Sequence, residues 1–382
     1  MKDLTEIRKD LDNIDNEIKE LYLKRMSLVD EVAQYKASTG KQILDTKREQ
    51  EKIEALTSDI GDDFTKRSIG ELYEQIMAVS RKKQYRMLSG KREGQIGDFV
   101  EVDELPFDSG KIVFQGVWGA YSQIATETFF GKRDGVYHVP TWREAIEELM
   151  EDRADYAVLP IENSTAGAVY QNYDLLAEYD VTIVGEQIIE AAHCLLGVEG
   201  AEISDIKTIY SHPQALMQCD RYLREHFSDA SVIALENTAV SAEKVKNDGD
   251  KTQAAIAGKI NGEIYGLKIL DEKIQDEKYN HTRFMVLSKK KIYVKNATGI
   301  SLCFCLPHTY GSLYRALSHF IFNGINMSRI ESRPIHGKEW EYRFFIDIEG
   351  RLSDEGVQNA LTGLLAETDN LRILGNYGSK TE

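Results

Sequence analysis

Residues 1–39 contain neither glycine nor proline, and along them Leu4, Ile7, Leu11, Ile14, Ile18, Leu21, Leu28, Val32 and Tyr35 recur at alternating intervals of three and four. That is the heptad-like stripe of one long amphipathic helix. About 35 residues of helix measure about 50 Å at 1.5 Å per residue. A compact segment of about 90 residues has a radius of gyration of about 13 Å and cannot cover such a rod alone. The stripe therefore predicts a partner chain and an intertwined dimer. One position breaks it: between Leu21 and Leu28 the series calls for an apolar residue at 25 and has Arg25. An inward-facing arginine needs an anion. Lys36 follows on nearly the same side three turns later, whereas Arg8 lies about a quarter-turn off that line and suits a different site, such as the partner's.

A second helix is expected to start at Asp45 or Thr46, with Thr46 and Glu49 spaced as a capping box and Arg48 and Glu49 in its first turn. A third is expected over 65–88, where the stripe Ile69, Tyr73, Ile76 runs on into Ser80 and Gln84. Each charged residue alone reads as a solvated group on a helix face. Together, cations and uncharged donors occupy inward stripes without a histidine, a nucleophile or a metal cluster. That set suits a reaction that needs folding and electrostatic clamping of a dianion and nothing more. Residues 1–90 carry 17 Lys/Arg against 18 Asp/Glu, so nearly all of the formal net charge of -16 lies beyond them and the first segment is comparatively rich in cations.

The segment resembles the all-helical chorismate mutases over its whole length. Their site pattern is matched by Arg8, Arg25, Lys36, Asp45, Arg48, Glu49, Ser80 and Gln84. The resemblance implies an intertwined helical dimer in which Arg8 reaches into the partner subunit's site. Arg25, Arg8 and Arg48 would clamp carboxylates of chorismate, and Lys36 and Gln84 would stabilise charge on the breaking ether oxygen. Asp45 and Glu49 would bind the ring hydroxyl or orient their neighbours, and Ser80 would contact substrate.

Residues 91–108 are Gly-rich and polar near their start and read as a linker. Beyond them, from 109 to 290, strand and helix patterns alternate, the mark of a doubly wound α/β architecture that could form two lobes around a cleft. Strands are expected at 111–114, 156–160, 206–210, 232–235, 254–257 and 283–288. Helices are expected up to Phe130, at 141–152, at 238–247 and near 260. Three strands end in small or polar residues just ahead of a helix, the geometry of a carboxylate site. Gly116-x-x-Gly119 is not a dinucleotide fingerprint. His193, in an apolar run, reads as a core histidine.

This segment resembles prephenate dehydratases. The resemblance is carried by Gly116-x-x-Gly119-x-x-Ser122, Pro160-Ile161-Glu162-Asn163-Ser164, Ser211-His212-Pro213-Gln214 with Gln218, and Asn280-His281-Thr282-Arg283-Phe284. Gln123 stands where many relatives have His and is given no catalytic role. The implied chemistry removes carbon dioxide and the ring hydroxyl from prephenate to give phenylpyruvate. Thr282 would hydrogen-bond the departing hydroxyl, and Asn163, Ser211 and Gln218 would orient substrate. Arg283 would bind a carboxylate or lock the lobe. Ser164 and Phe284 complete the substrate-binding set with Glu162, whose part as a proton source is left open.

Residues 298–382 read strand, helix, strand, hairpin at His336-Gly337-Lys338, strand, helix, strand. This is the βαββαβ plan of ferredoxin-like α+β domains, which by itself settles no function. Glu331-Ser332-Arg333-Pro334 resembles the hallmark of ACT domains fused to prephenate dehydratases, and Gly311-Ser312-Leu313 stands where they have Gly-Ala-Leu. The resemblance implies binding of L-phenylalanine between subunits, with feedback inhibition.

The 382 residues thus read as a multidomain enzyme: an all-α intertwined mutase (1–90), a linker (91–108), a two-lobed α/β dehydratase (109–290) and an ACT domain (298–382). The acidic balance argues against nucleic acid. None of Cys194, Cys219, Cys303 and Cys305 forms a CxxC pair, and no cofactor or metal is expected. The charged opening Met1-Lys2-Asp3-Leu4 is no signal peptide and no stretch suits a membrane, so a cytoplasmic location is expected. A regulator built from retired enzyme domains would show damaged site positions, and a mutase–dehydrogenase would carry a dinucleotide fingerprint.

Overall fold

The structure, a computed structural model, describes residues 2–89, 98–106, 110–277, 279–335 and 337–380. Two compact units divide the chain: Met1–Asp98 with Cys303–Ile373, and Phe99–Leu302 with Leu374–Glu382. The first begins with three helices, α1 (Leu4–Thr39), α2 (Thr46–Thr57) and α3 (Asp63–Ser89). Asp3 caps α1 by accepting from the Glu6 N–H, and Gly40 ends it at φ +69°, a left-handed turn that favours glycine. The cap of α2 is Asp45, whose carboxylate accepts from the Arg48 N–H, rather than Thr46. The stripe of α1 is open to solvent throughout, from 42% exposed at Ile7 to 65% at Leu21. Inside the bundle, Val29 and Ala33 of α1 and Met77, Ala78 and Tyr85 of α3 are buried.

In the second unit, the chain alternates through β1 (Ile112–Gln115), α4 (Tyr121–Phe130), β2 (Val136–Val139), α5 (Trp142–Met150), β3 (Tyr156–Asn163), α6 (Tyr170–Glu178), β4 (Thr182–Glu190) and β5 (Cys194–Gly197). It continues with β6 (Thr208–Ser211), α7 (Pro213–Gln218), α8 (Asp220–His226), β7 (Ser231–Ala234), α9 (Thr238–Asp248), β8 (Gln253–Ala257), α10 (Lys259–Tyr265), β9 (Lys268–Asp271) and β10 (His281–Ser288). Two lobes result. One sheet runs β4-β10-β3-β1-β2 and the other β9-β5-β8-β6-β7. Each has its own core, one around Phe114, Phe129, Val158 and Val286, the other around Ile209, Ala254 and Ile256. Within the expected linker, Val100–Val102 pairs in parallel with Ile292–Val294. The linker residues 91–97 and 107–108 lie outside the described residues.

The C-terminal elements are β11 (Gly299–Cys305), α11 (Ser312–Phe322), β12 (Met327–Pro334), β13 (Tyr342–Glu349), α12 (Glu355–Glu367) and β14 (Asp369–Tyr377). Their order is βαββαβ, with sheet order β12-β13-β11-β14. His336 of the expected hairpin lies outside the described residues. α12 is buried on several sides, at Val357, Ala360, Leu361, Gly363 and Leu364. It packs against both α11 and α3, and a helix covered on opposite faces needs little polar surface.

Candidate active sites

The first candidate site lies among α1, α2 and α3. Arg25 reaches from α1 to α3, where its Nη1 donates to the Ser80 hydroxyl, and that hydroxyl donates to Ile76 O at 2.6 Å. Lys36 donates from Nζ to Ile43 O at 2.7 Å. Burial lowers its pKa more than the charges of Asp45 and Glu49 raise it. Glu49 turns from α2 towards α3 and accepts at 2.6 and 2.7 Å from Nη1 of Arg81. Gln84 is buried beside Ser80 and donates to Ser80 O at 3.2 Å, while its Oε1 has no hydrogen-bond partner among the described residues. Arg48 is exposed, 3.9 Å from Glu51, and Asp45 serves as a helix cap.

Arg25, Lys36, Glu49, Ser80 and Gln84 thus belong to one helical cluster, and Arg8 does not. Arg8 is exposed and sits 17 residues before Arg25 on the same helix, about 25 Å away along the axis. The residue that sequence reasoning missed is Arg81. In the run Arg81-Lys82-Lys83 it reads as part of a solvated face, yet its side chain is only 5% exposed.

The second candidate site forms where β3 meets β10. The antiparallel register sets Thr282 opposite Asn163 and Arg283 opposite Glu162. Residues directly opposite share a sheet face and their neighbours take the other. Thr282 and Asn163 therefore lie on one face, and Glu162 and Arg283 on the reverse. Nδ2 of Asn163 donates to Thr282 Oγ1 at 2.9 Å and to Asn280 Oδ1 at 2.8 Å, while Asn163 Oδ1 accepts from Thr165 and from the Ala166 N–H. From the other lobe, Gln218 donates to Thr165 Oγ1 at 2.7 Å and accepts from Asn280 at 3.2 Å. Nε2 of His193 lies 2.8 Å from Gln218 Oε1, and its Nδ1 lies 3.2 Å from the Tyr121 hydroxyl. Burial lowers the His193 pKa against the hydrogen bond that its Nε2–H donates to Gln218 Oε1, which favours the neutral ring. His193 is buried as expected of a core histidine, but it also braces Gln218.

Three expected substrate-binding residues stand elsewhere. Phe284 is 1% exposed and belongs to the hydrophobic core with Phe114 and Val158, so it cannot touch a substrate. Ser211 has no exposed surface and donates its hydroxyl to Ile256 O at 2.6 Å, tying β6 to β8. Arg283 is ion-paired with Glu186 and donates to the Tyr377 hydroxyl at 2.9 Å, so of its two expected roles the geometry favours the lock. Ser164 bridges Tyr279 O at 2.8 Å and the His281 N–H at 3.0 Å, which fixes the two motifs to each other. Gln123 accepts from the Gly119 N–H and donates to Glu127, a loop-holding part. Gly119 is required in that loop: at φ +91° a Cβ would stand 2.1 Å from Asn261 Oδ1. Thr165, Asn280 and Tyr121 were missed as site residues, although Asn280 opens the motif that holds Thr282.

In the C-terminal elements, Gly311 (φ +71°), Ser312 and Leu313 open α11. Glu331, Ser332, Arg333 and Pro334 end β12, the edge strand of its sheet.

A cation-rich helical cluster followed by a two-lobed α/β cleft lined with hydroxyl and amide groups defines an enzyme with two separate sites for small carboxylate substrates. The family models agree, with chorismate mutase type II matching residues 7–85 and prephenate dehydratase matching residues 112–292. The chain belongs to the bifunctional chorismate mutase/prephenate dehydratase family, being 31% identical over 381 residues to the member from Aquifex aeolicus (strain VF5), covering 99% of this chain and 98% of that one. Among solved structures, the Arthrobacter aurescens prephenate dehydratase in complex with L-Phe is 32% identical, with TM-score 0.65, over 70% of this chain and 90% of that one. GqqA, described as a novel type of quorum quenching acylase, is also 32% identical, with TM-score 0.63, over 70% of this chain and 98% of that one. Among the described residues, no helix is long and apolar enough to cross a membrane.

Proposed function

We propose that the chain rearranges chorismate to prephenate in the helical domain, converts prephenate to phenylpyruvate in the α/β domain, and is feedback-inhibited by L-phenylalanine. The proposed domains are 1–90, 109–290 and 298–382, with 91–108 as a linker. The observation that carries the reading is the pairing of two chemistries on one chain. Arg25, hydrogen-bonded to an uncharged hydroxyl, keeps its charge for a carboxylate, and Thr282 is fixed by an amide donor in a separate cleft.

In the first site, Arg25 and Arg48 hold the substrate's carboxylates with Arg8 from the partner subunit. Lys36 and Gln84 face the ether oxygen, Glu49 and Asp45 the ring hydroxyl, and Ser80 positions Arg25. The exposed α1 stripe supports self-association, since a heptad-like row of that length is stable only when another helix covers it. In the second site, Thr282 serves the departing hydroxyl, Asn163 and Gln218 position it, and Glu162 and Arg283 support the strand pair from its reverse face. Phenylalanine would bind at 311–313 and 331–334. The βαββαβ order and the L-Phe complex of the Arthrobacter aurescens relative support this.

Purified protein given chorismate is expected to form prephenate and then phenylpyruvate, both followed by absorbance, with the second suppressed by added phenylalanine. Prephenate accumulating alone would remove the dehydratase. Turnover indifferent to phenylalanine would remove the regulatory site, and no turnover by folded protein would favour a regulator without catalysis.

A further inference from the structure

Arg81 follows Ser80 on α3 and is buried where a solvated cation is expected. Its guanidinium meets two carboxylates. Nη1 lies 2.6 and 2.7 Å from the oxygens of Glu49 on α2, and Nε lies 2.8 Å from Oε1 of Glu367, 286 residues on in the sequence. Glu367 is the last residue of α12 and only 6% exposed. A helix C-terminus disfavours an anion, so its place there needs a cation to hold it. Arg81 is the cation beside it, and on its other side stands the His319 imidazole of α11, with Nε2 3.3 Å from Glu367 Oε2. The seat for His319 is cut into α12: a Cβ on Gly363 would stand 2.3 Å from the His319 ring. A mid-helix glycine is less favourable than alanine, and here it admits the imidazole.

We infer that Arg81 is a positioning residue of the mutase site, holding the Glu49 carboxylate in place, and that Glu367 and His319 of the C-terminal domain hold Arg81. The inference rests on the mutase reading of Glu49. Lys36 lies close enough to Glu49 to feel its charge. A Glu49 released from Arg81 is drawn to Lys36 and neutralises a cation that the dianionic substrate needs. Arg81 therefore keeps Glu49 oriented and Lys36 available. Two carboxylate acceptors around one planar fork, Glu367 buried and Glu49 half-buried, fix its geometry, which a flexible ammonium cannot match.

The test uses the full chain, with mutase kinetics on chorismate and dehydratase kinetics on supplied prephenate. Arg81→Met is expected to lower mutase kcat/KM by about tenfold or more, the scale of one lost buried charge-assisted hydrogen bond, largely through KM, with the dehydratase within about twofold. Arg81→Lys should recover part of the loss. Glu367→Gln, close in shape and gentler on folding, should give a smaller mutase loss that vanishes when Arg81 is already Met, since both act along one chain of contacts. A purely structural arginine would lower thermal stability and leave the kcat/KM of folded protein unchanged, and that result overturns the inference. Losses that multiply in the double variant also overturn it. If Arg81→Met does not fold, an unchanged mutase in Glu367→Gln overturns it, and a selective mutase loss supports it. An unsubstituted chain that fails to turn over chorismate overturns the mutase reading and the inference with it, a result separable from an unresponsive Arg81→Met.

The same carboxylate gives the first unit an acid limit. Burial would raise Glu367, but the His319 ring beside it and the Arg81 charge outweigh burial and bring the carboxyl from its ordinary 4.5 down to about 2. A depressed carboxyl contributes stability that is complete above the unfolded value and lost as pH falls through the folded one. That contribution should therefore fade between about pH 4.5 and 2. Urea titrations across that window should show the loss in the unsubstituted chain and a flatter response in Glu367→Gln. Equal slopes would remove Glu367 as the cause.

Discussion

Arg25→Ala is expected to lower chorismate mutase kcat/KM by about 10²- to 10³-fold, the range seen when one preorganised donor to a developing charge is removed. Its dehydratase activity on supplied prephenate should stay within about twofold. Arg25 and Arg81 show why position rather than charge decides the outcome. Arg81 is held between two carboxylates, so its charge is matched inside the protein. Arg25 donates to the Ser80 hydroxyl, and no ion pair to a carboxylate holds it among the described residues. A half-buried guanidinium braced by a neutral oxygen keeps its electrostatic strength for a ligand. The rearrangement is unimolecular and moves no proton, so the protein contributes conformation and charge, and loss of one clamp is felt in both binding and rate. Arg25→Lys should recover little, because an ammonium cannot reproduce the planar fork. A fall in both activities of the folded variant would mean that the two sites are not independent.

What the sequence made legible follows periodicity and punctuation. The first helix was readable because no glycine or proline stops it until Gly40, and 312–322 was readable because an apolar face follows a glycine. Strand β4 was missed. Both faces of Thr182–Glu190 are buried, so it has no alternation, and Gly185, Glu186 and Gln187 interrupt its apolar character. The glycine is explained only in three dimensions, since a Cβ there would stand 2.3 Å from the Phe129 ring. Helix α6 was missed because its cap position is Val169, which gives no side-chain cap. At the sites, motif residues were legible where their chemistry is local. Phe284 was misplaced because its packing against Phe114 and Val158 is a tertiary contact that the motif does not record. Arg81 was passed over because its second partner lies 286 positions away and no local pattern records it.

Thr282→Ala is expected to reduce dehydratase kcat by about 10²- to 10⁴-fold, the range for a positioned proton donor, and to leave mutase activity within about twofold. In the reaction the bond to the departing carboxylate breaks, its electron pair enters the ring, and the ring hydroxyl leaves as the system becomes aromatic. That hydroxyl needs a hydrogen-bond donor as negative charge builds on it. The geometry supplies one. Asn163 Nδ2 donates to Thr282 Oγ1 at 2.9 Å, so the threonine oxygen is already an acceptor and its own proton is free to point at substrate. The direction of the amide is fixed, because Asn163 Oδ1 accepts from the Thr165 and Ala166 N–H groups. A threonine hydroxyl is a weak acid, so its part is to stabilise and relay rather than to supply a free proton. Glu162, a carboxyl that could have supplied one, faces the reverse side of the strand pair. Thr282→Ser should therefore retain most of the rate and Thr282→Val, which keeps the shape without the hydroxyl, should lose it. If Thr282→Val kept its rate while Glu162→Gln lost it, the proton would come from the other face of the sheet and Thr282 would hold only shape.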